Sequence, residues 1–130
     1  MEAIEYSWER LPEYQATQEY SRCLGRILAS LPTRTARKAI GPLTTAALML
    51  GAGIAGCNAD VPPGEEMPPE ERAEFRRQAL DALRESRRRL RRFRDRRKGD
   101  QRELRRALDL LDQAEMWMTA GAGPTAGTVN

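Results

Sequence analysis

Arginine is the residue with chemical potential in this chain. The stretch Arg84–Lys98 reads RESRRRLRRFRDRRK, and Leu90 and Phe93 are its only large apolar residues. Between Arg72 and Arg106 lie 15 Arg and 1 Lys against 6 acids, a local net charge of +10. The rest of the chain carries a net of −7, so the modest total of +3 hides a strongly polarised molecule. Guanidinium groups grip phosphates in bidentate fashion and stack on flat rings. Such a run therefore points to a polyanionic partner, nucleic acid first. It brings no sequence-reading motif, so contact should be with the backbone and sensitive to salt. Few acids sit four residues from these arginines (Glu85 to Arg89 is one), so local pairing does not neutralise them.

Other chemistries are poorly supplied. The chain has no histidine, which removes His-based nucleophile pairs, metal sites and proton shuttles. A carboxylate pair or an arginine-only site is what enzyme chemistry would have left, and there is no phosphate-loop signature. Cys23 and Cys57 form neither a metal spacing nor a disulfide framework, and suit a reduced, cytoplasmic protein. No catalytic residue, metal or cofactor is expected.

The arginines must be carried by helices. Ala, Leu, Arg and Glu dominate one domain-sized chain of 130 residues, and β-branched residues are thin. Residues 1–12 read as an arm or short helix, with Tyr6, Trp8 and Leu11 able to pack on the rest. A first helix is expected over 13–31, with Tyr14, Thr17, Ser21, Leu24, Ile27, Leu28 and Leu31 at spacings of three and four. A second covers 33–57 with the stripe Ala36, Ile40, Leu43, Ala47, Leu50 and Ile54, and Pro42 should kink it or delay its start. A loop rich in proline and acid follows.

The third helix, 69–98, places Phe75, Ala79, Ala82, Leu83, Ser86, Leu90 and Phe93 on one face and arginine over the remainder. Gly99 suits a helix stop and Asp100 an N-cap. The fourth, 101–120, has Leu104, Ala107, Leu108, Leu111, Ala114, Glu115 and Met118 on one face, with Leu110 and Trp117 off it. Residues 121–130 read as a flexible tail. Short connections make an antiparallel up-down four-helix bundle the expected all-α fold.

The segment LTTAALMLGAGIAGC, Leu43–Cys57, admits three readings. Gly51, Gly53 and Gly56 match GxGxxG, but Val61-Pro62-Pro63 forbids the helix that would present its N-terminus to a pyrophosphate. Arg37-Lys38 followed by an apolar run ending Ile54-Ala55-Gly56-Cys57 resembles a lipoprotein signal. An amphipathic helix precedes it, however, and 15 residues are short for a membrane span. The favoured reading is a central bundle helix. Its small residues Ala47, Gly51 and Ala55, or Ala52 and Gly56, permit close approach, and its nearly all-round apolarity implies a further subunit.

The second and third helices resemble a known family. Pro32, Ala46-Ala47, Leu50 and Ile54-Ala55, then Phe75, Ala79-Leu80, Leu83 and Glu85, fall in the order and spacing of the four-helix-bundle proteins encoded in 23S ribosomal RNA intervening sequences. The accessory proteins of diversity-generating retroelements, accessory variability determinants, are their relatives. Gly56-Cys57 replaces the family's Glu-Gly, and the following loop is longer. The opening MEAIE and the chain length look more like the retroelement branch.

The resemblance implies a ring-like homopentamer that binds RNA or DNA and works with a reverse transcriptase, without a catalytic site of its own. Arg84, Arg87, Arg88, Arg91, Arg92, Arg94, Arg96, Arg97 and Lys98 are the expected nucleic-acid contacts. Ala47, Gly51, Ala55, Leu110 and Trp117 are the expected subunit contacts. The competing expectation is a homo-oligomeric helical scaffold of the ribosomal type, whose arginines meet acids of neighbouring subunits.

Overall fold

The computed structural model describes residues 7–59 and 66–122. A 3₁₀ turn, Ser7–Arg10, leads into four α-helices: α1 (Pro12–Ser30), α2 (Thr33–Cys57), α3 (Pro69–Asp95) and α4 (Gln101–Ala122). No strand occurs among the described residues. Each helix packs on two neighbours. α2 lies chiefly against α3 and α1 against α4, while the α1–α2 and α3–α4 seams are shorter. The diagonal pairs stay apart, as in an up-down four-helix arrangement. The expected contact residue Tyr6, the loop residues 60–65 and the tail 123–130 lie outside the described residues; α4 continues into the first two residues of the expected tail.

The α4 stripe is buried as its spacing predicts, from Leu104 through Leu111 to Met118. α3 buries Ala79, Ala82, Leu83, Ser86 and Leu90, with Phe93 packed against this core. On α1 the buried face is rotated from the expected one. Tyr20 and Cys23 are fully buried whereas Ser21 is exposed, because α1 turns towards α4 more than towards α2. On α2 the small residues Ala39, Ala46 and Gly53 go inward with Leu43, Leu50 and Ile54, while Ile40 is exposed. The helix begins at Thr33 and continues through Pro42, so the proline does not delay its start.

Two glycines explain why α2 and α3 can lie so close. A Cβ on Gly53 would come within 2.7 Å of both the Ala79 Cβ and the Phe75 carbonyl oxygen. One on Gly56 would strike the Phe75 ring at 2.5 Å. Gly51, by contrast, has open space where its Cβ would be. Close approach therefore falls on Gly53 and Gly56, within the chain, and not on the Ala47–Gly51–Ala55 row. That row faces a groove between α1 and α2.

All three GxGxxG glycines sit in one continuous helix, which leaves no turn to cradle a phosphate. The same helix is 25 residues long, and by length and composition it is long and apolar enough to cross a membrane. The short-segment argument against a span therefore does not apply to it. Its buried face is spent on α3, and Cys57 is buried at its end.

The connections are specific. The Arg72 guanidinium donates to the carbonyls of Cys57 (2.9 Å) and Ala59 (3.0 Å), so this arginine caps the end of α2. α3 stops at Asp95, earlier than expected. Lys98 N–H donates to Phe93 O and Arg97 N–H to Arg94 O, a Schellman closure with Arg97 in the left-handed region at φ 53°. Gly99, at φ 80°, lets the chain pass under Leu31. Asp100 then caps α4, its Oδ1 accepting from Arg102 N–H (3.0 Å) and Glu103 N–H (3.1 Å).

The glycines give a direct test. Gly53→Ala should destabilise the fold by about 1–3 kcal/mol through overpacking against backbone. Gly51→Ala should stabilise it by up to ~1 kcal/mol through helix propensity. Urea denaturation of the two variants checks both signs.

Candidate nucleic-acid interface

The arginine-rich half of α3 divides into paired and free groups. Arg87 is the most enclosed, its side chain only 14% exposed. It donates to Glu115 Oε1 at 2.6 Å and Asp112 Oδ1 at 2.8 Å on α4. Arg84 reaches Glu115 as well, at 3.4 Å. Hydrogen bonding from Arg87 holds the Glu115 carboxyl below its usual 4.5, against the opposing effect of burial. Arg88 and Arg89 both close on Glu85, at 2.6 Å, and Arg94 pairs with Asp95 at 3.0 Å. The Arg88 contact is the main reason that the Glu85 carboxyl is lowered. Of the expected contact residues, Arg84, Arg87, Arg88 and Arg94 thus have acidic partners within the chain. Arg87 in particular ties α3 to α4.

Arg91, Arg92, Arg96, Arg97 and Lys98 are exposed and have no acidic partner among the described residues. They occupy the last turn of α3 and the turn that follows. Because α2 runs antiparallel to α3, its first turns lie beside them and add Arg34, Arg37 and Lys38, also exposed. A cleft of about 460 Å³ separates the two helices here. It is lined by Arg34, Thr35, Lys38 and Ala39 on α2, and by Arg89, Arg92, Phe93, Arg96 and Lys98 on the α3 side. No acid is among its lining residues. The α2 cations were not among the expected contacts. Their signal was the short TRTARK opening, meaningful only once its neighbour is known.

The C-terminal end of α3 favours its own cations, but the placement of those on α2 opposes stability. Cations repel the positive N-terminus of a helix, yet α2 begins with Arg34, Arg37 and Lys38, has no acid in its first turn and has no side-chain cap. Arg97 holds a backbone conformation that favours glycine.

The expected subunit contacts fall in two places. Ala47, Gly51 and Ala55 line an apolar groove of about 620 Å³ with Trp8, Tyr14, Leu24, Leu28 and Leu48. Leu48 is 69% exposed. Trp8 meets Tyr14 edge to face at 4.9 Å. On α4, Trp117 is exposed beside Met116, whereas Leu110 is partly buried against the core. Cys23 and Cys57 are free and buried, and burial pushes both thiols up. Among the described residues no cluster of Cys, Asp and Glu is placed to hold a metal ion.

Replacing Arg87 by Ala should cost about 1–3 kcal/mol, because it strands a partly enclosed Glu115. A carboxyl lowered on folding contributes stability above its unfolded pKa and loses it on acidification. The variant should therefore show a shallower fall in stability as pH drops below about 4.5. Arg97→Gly should instead raise stability by about 1 kcal/mol through relief of the left-handed residue. Thermal and urea unfolding between pH 3 and 7 check both.

No protein-family model, no curated protein sequence and no solved structure matches this chain, so the meaning of the site rests on its own geometry and charge.

Proposed function

We propose that this chain is a nonenzymatic nucleic-acid-binding accessory protein that acts as a homo-oligomer. One observation carries the reading: unneutralised cations from two helices gather at one end of the bundle, where helix polarity disfavours those of α2 and backbone conformation disfavours Arg97. Charge that opposes folding is explained by a polyanionic ligand that compensates it. The binding surface is the end of α3 with the start of α2. Arg84, Arg87, Arg88 and Arg94 act mainly by holding the bundle and its local charge in register.

The exposed Leu48 and the groove it lines support self-association, and Ile40 and Met49 are further exposed apolar residues on α2. The resemblance of α2 and α3 to the retroelement accessory proteins extends the proposal to a pentameric ring and to a reverse transcriptase as partner. Two free, buried thiols agree with a cytoplasmic setting. The exposed apolar residues, Trp117 among them, favour a second reading: a homo-oligomeric scaffold of the ribosomal intervening-sequence type with no nucleic-acid role.

Light scattering on a sizing column, with a structured RNA at low and high salt, separates the two. The accessory protein should take up RNA and release it as salt rises. Arg91, Arg92, Arg96 and Arg97 all changed to Glu should abolish uptake while helicity and subunit number persist. An oligomer that ignores RNA at 50 mM salt would establish the scaffold reading.

A further inference from the structure

We propose that the cleft between the start of α2 and the end of α3 receives an unpaired strand, with its phosphodiester backbone held between two cationic walls. The inference rests on the nucleic-acid reading above and specifies the form of the ligand. Arg34 and Lys38, one helical turn apart, share a face of α2. Arg92, Phe93 and Arg96 hold the facing wall, and Lys98 closes it from the following turn. Cations on two opposed walls contact phosphates best when these lie between the helices.

At about 460 Å³ the cleft is at the small end of ligand pockets. It offers room for about one or two nucleotides and none for a duplex. A duplex, whose phosphates face outward, would touch only the rim. Phe93 is partly exposed on the cleft wall while its other side packs on the core. An aromatic face beside a cationic track is the arrangement that single strands use, since every base can stack. Arg89 keeps its bond to Glu85, which is not among the lining residues, so the wall next to Phe93 is held in place.

The test uses the full chain, fluorescence anisotropy at fixed salt, and two probes of equal length: oligo(U) and a self-complementary RNA duplex. The wild type should prefer the single strand by about tenfold, the scale of one stacked base. Arg34→Ser with Lys38→Ser should abolish that preference and make the salt slope for oligo(U) shallower by about 1.4, two phosphate contacts at 0.7 each. Both side chains are exposed, so the variant should keep its helicity. Arg102→Ser with Arg105→Ser removes the same charge from α4 outside the cleft and should leave the preference intact.

Phe93→Leu should lower oligo(U) affinity by about tenfold without changing the salt slope. Equal wild-type affinity for the two probes would overturn the cleft proposal, as would equal losses in the two serine pairs. Either result would leave general binding by the basic end standing. Failure of both probes to bind at low salt would remove the nucleic-acid reading itself.

Discussion

The close approach of α2 to α3 is the constraint on which the rest depends. Two helices can come this near only where side chains vanish, and Gly53 and Gly56 provide the gap that Ala79 and Phe75 occupy. The contact fixes axial register as well as distance. With the C-terminal half of α2 locked against the first turns of α3, the antiparallel geometry carries Arg34 and Lys38 to the level of Arg92 and Arg96. A slip of one turn would break the opposition of the two walls. Packing at the apolar end thus sets the electrostatics at the basic end, a helix length away.

The second level of organisation sorts the arginines by what they meet. Asp112 and Glu115 on α4 take up Arg87, and Glu115 meets Arg84 as well. Glu85 neutralises two more along its own helix. Arg72 is spent on the carbonyls at the end of α2. Apart from Arg76, what survives this sorting on α3 lies in its final turns and in the residues beyond Asp95. A uniform-looking run in the sequence is therefore a graded object in space, structural at its start and available at its end.

Much of the architecture was legible from spacing. The α4 face could be read directly because Leu104, Leu108, Leu111 and Met118 are both large and buried. On α2 the same logic misled. Tight packing on α3 demands small side chains, so Ala39, Ala46 and Gly53 are inside and Ile40 is left outside. On α1 the buried Tyr20 and Cys23 carry polar atoms, which disguised the face that turns to α4. The basic character of α3 was plain, but the sorting of its arginines was not. Arg87 finds its acids 25 and 28 residues away, and that pairing follows from the α3–α4 register. Arg34 and Lys38 could not be assigned to the basic site for the same reason.

The unequal seams also bear on how the chain reaches this state. α2 and α3 are neighbours in sequence and form a hairpin whose contacts close a short loop. α1 finds its main partner in α4, the helix farthest from it along the chain. Closing the longer loop costs more chain entropy and slows assembly. During synthesis from the N-terminus, the α2–α3 hairpin is complete before α4 emerges, while Leu24 and Ile27 of α1 await their cover. A chain at that stage would carry a basic hairpin beside an uncovered apolar face of α1.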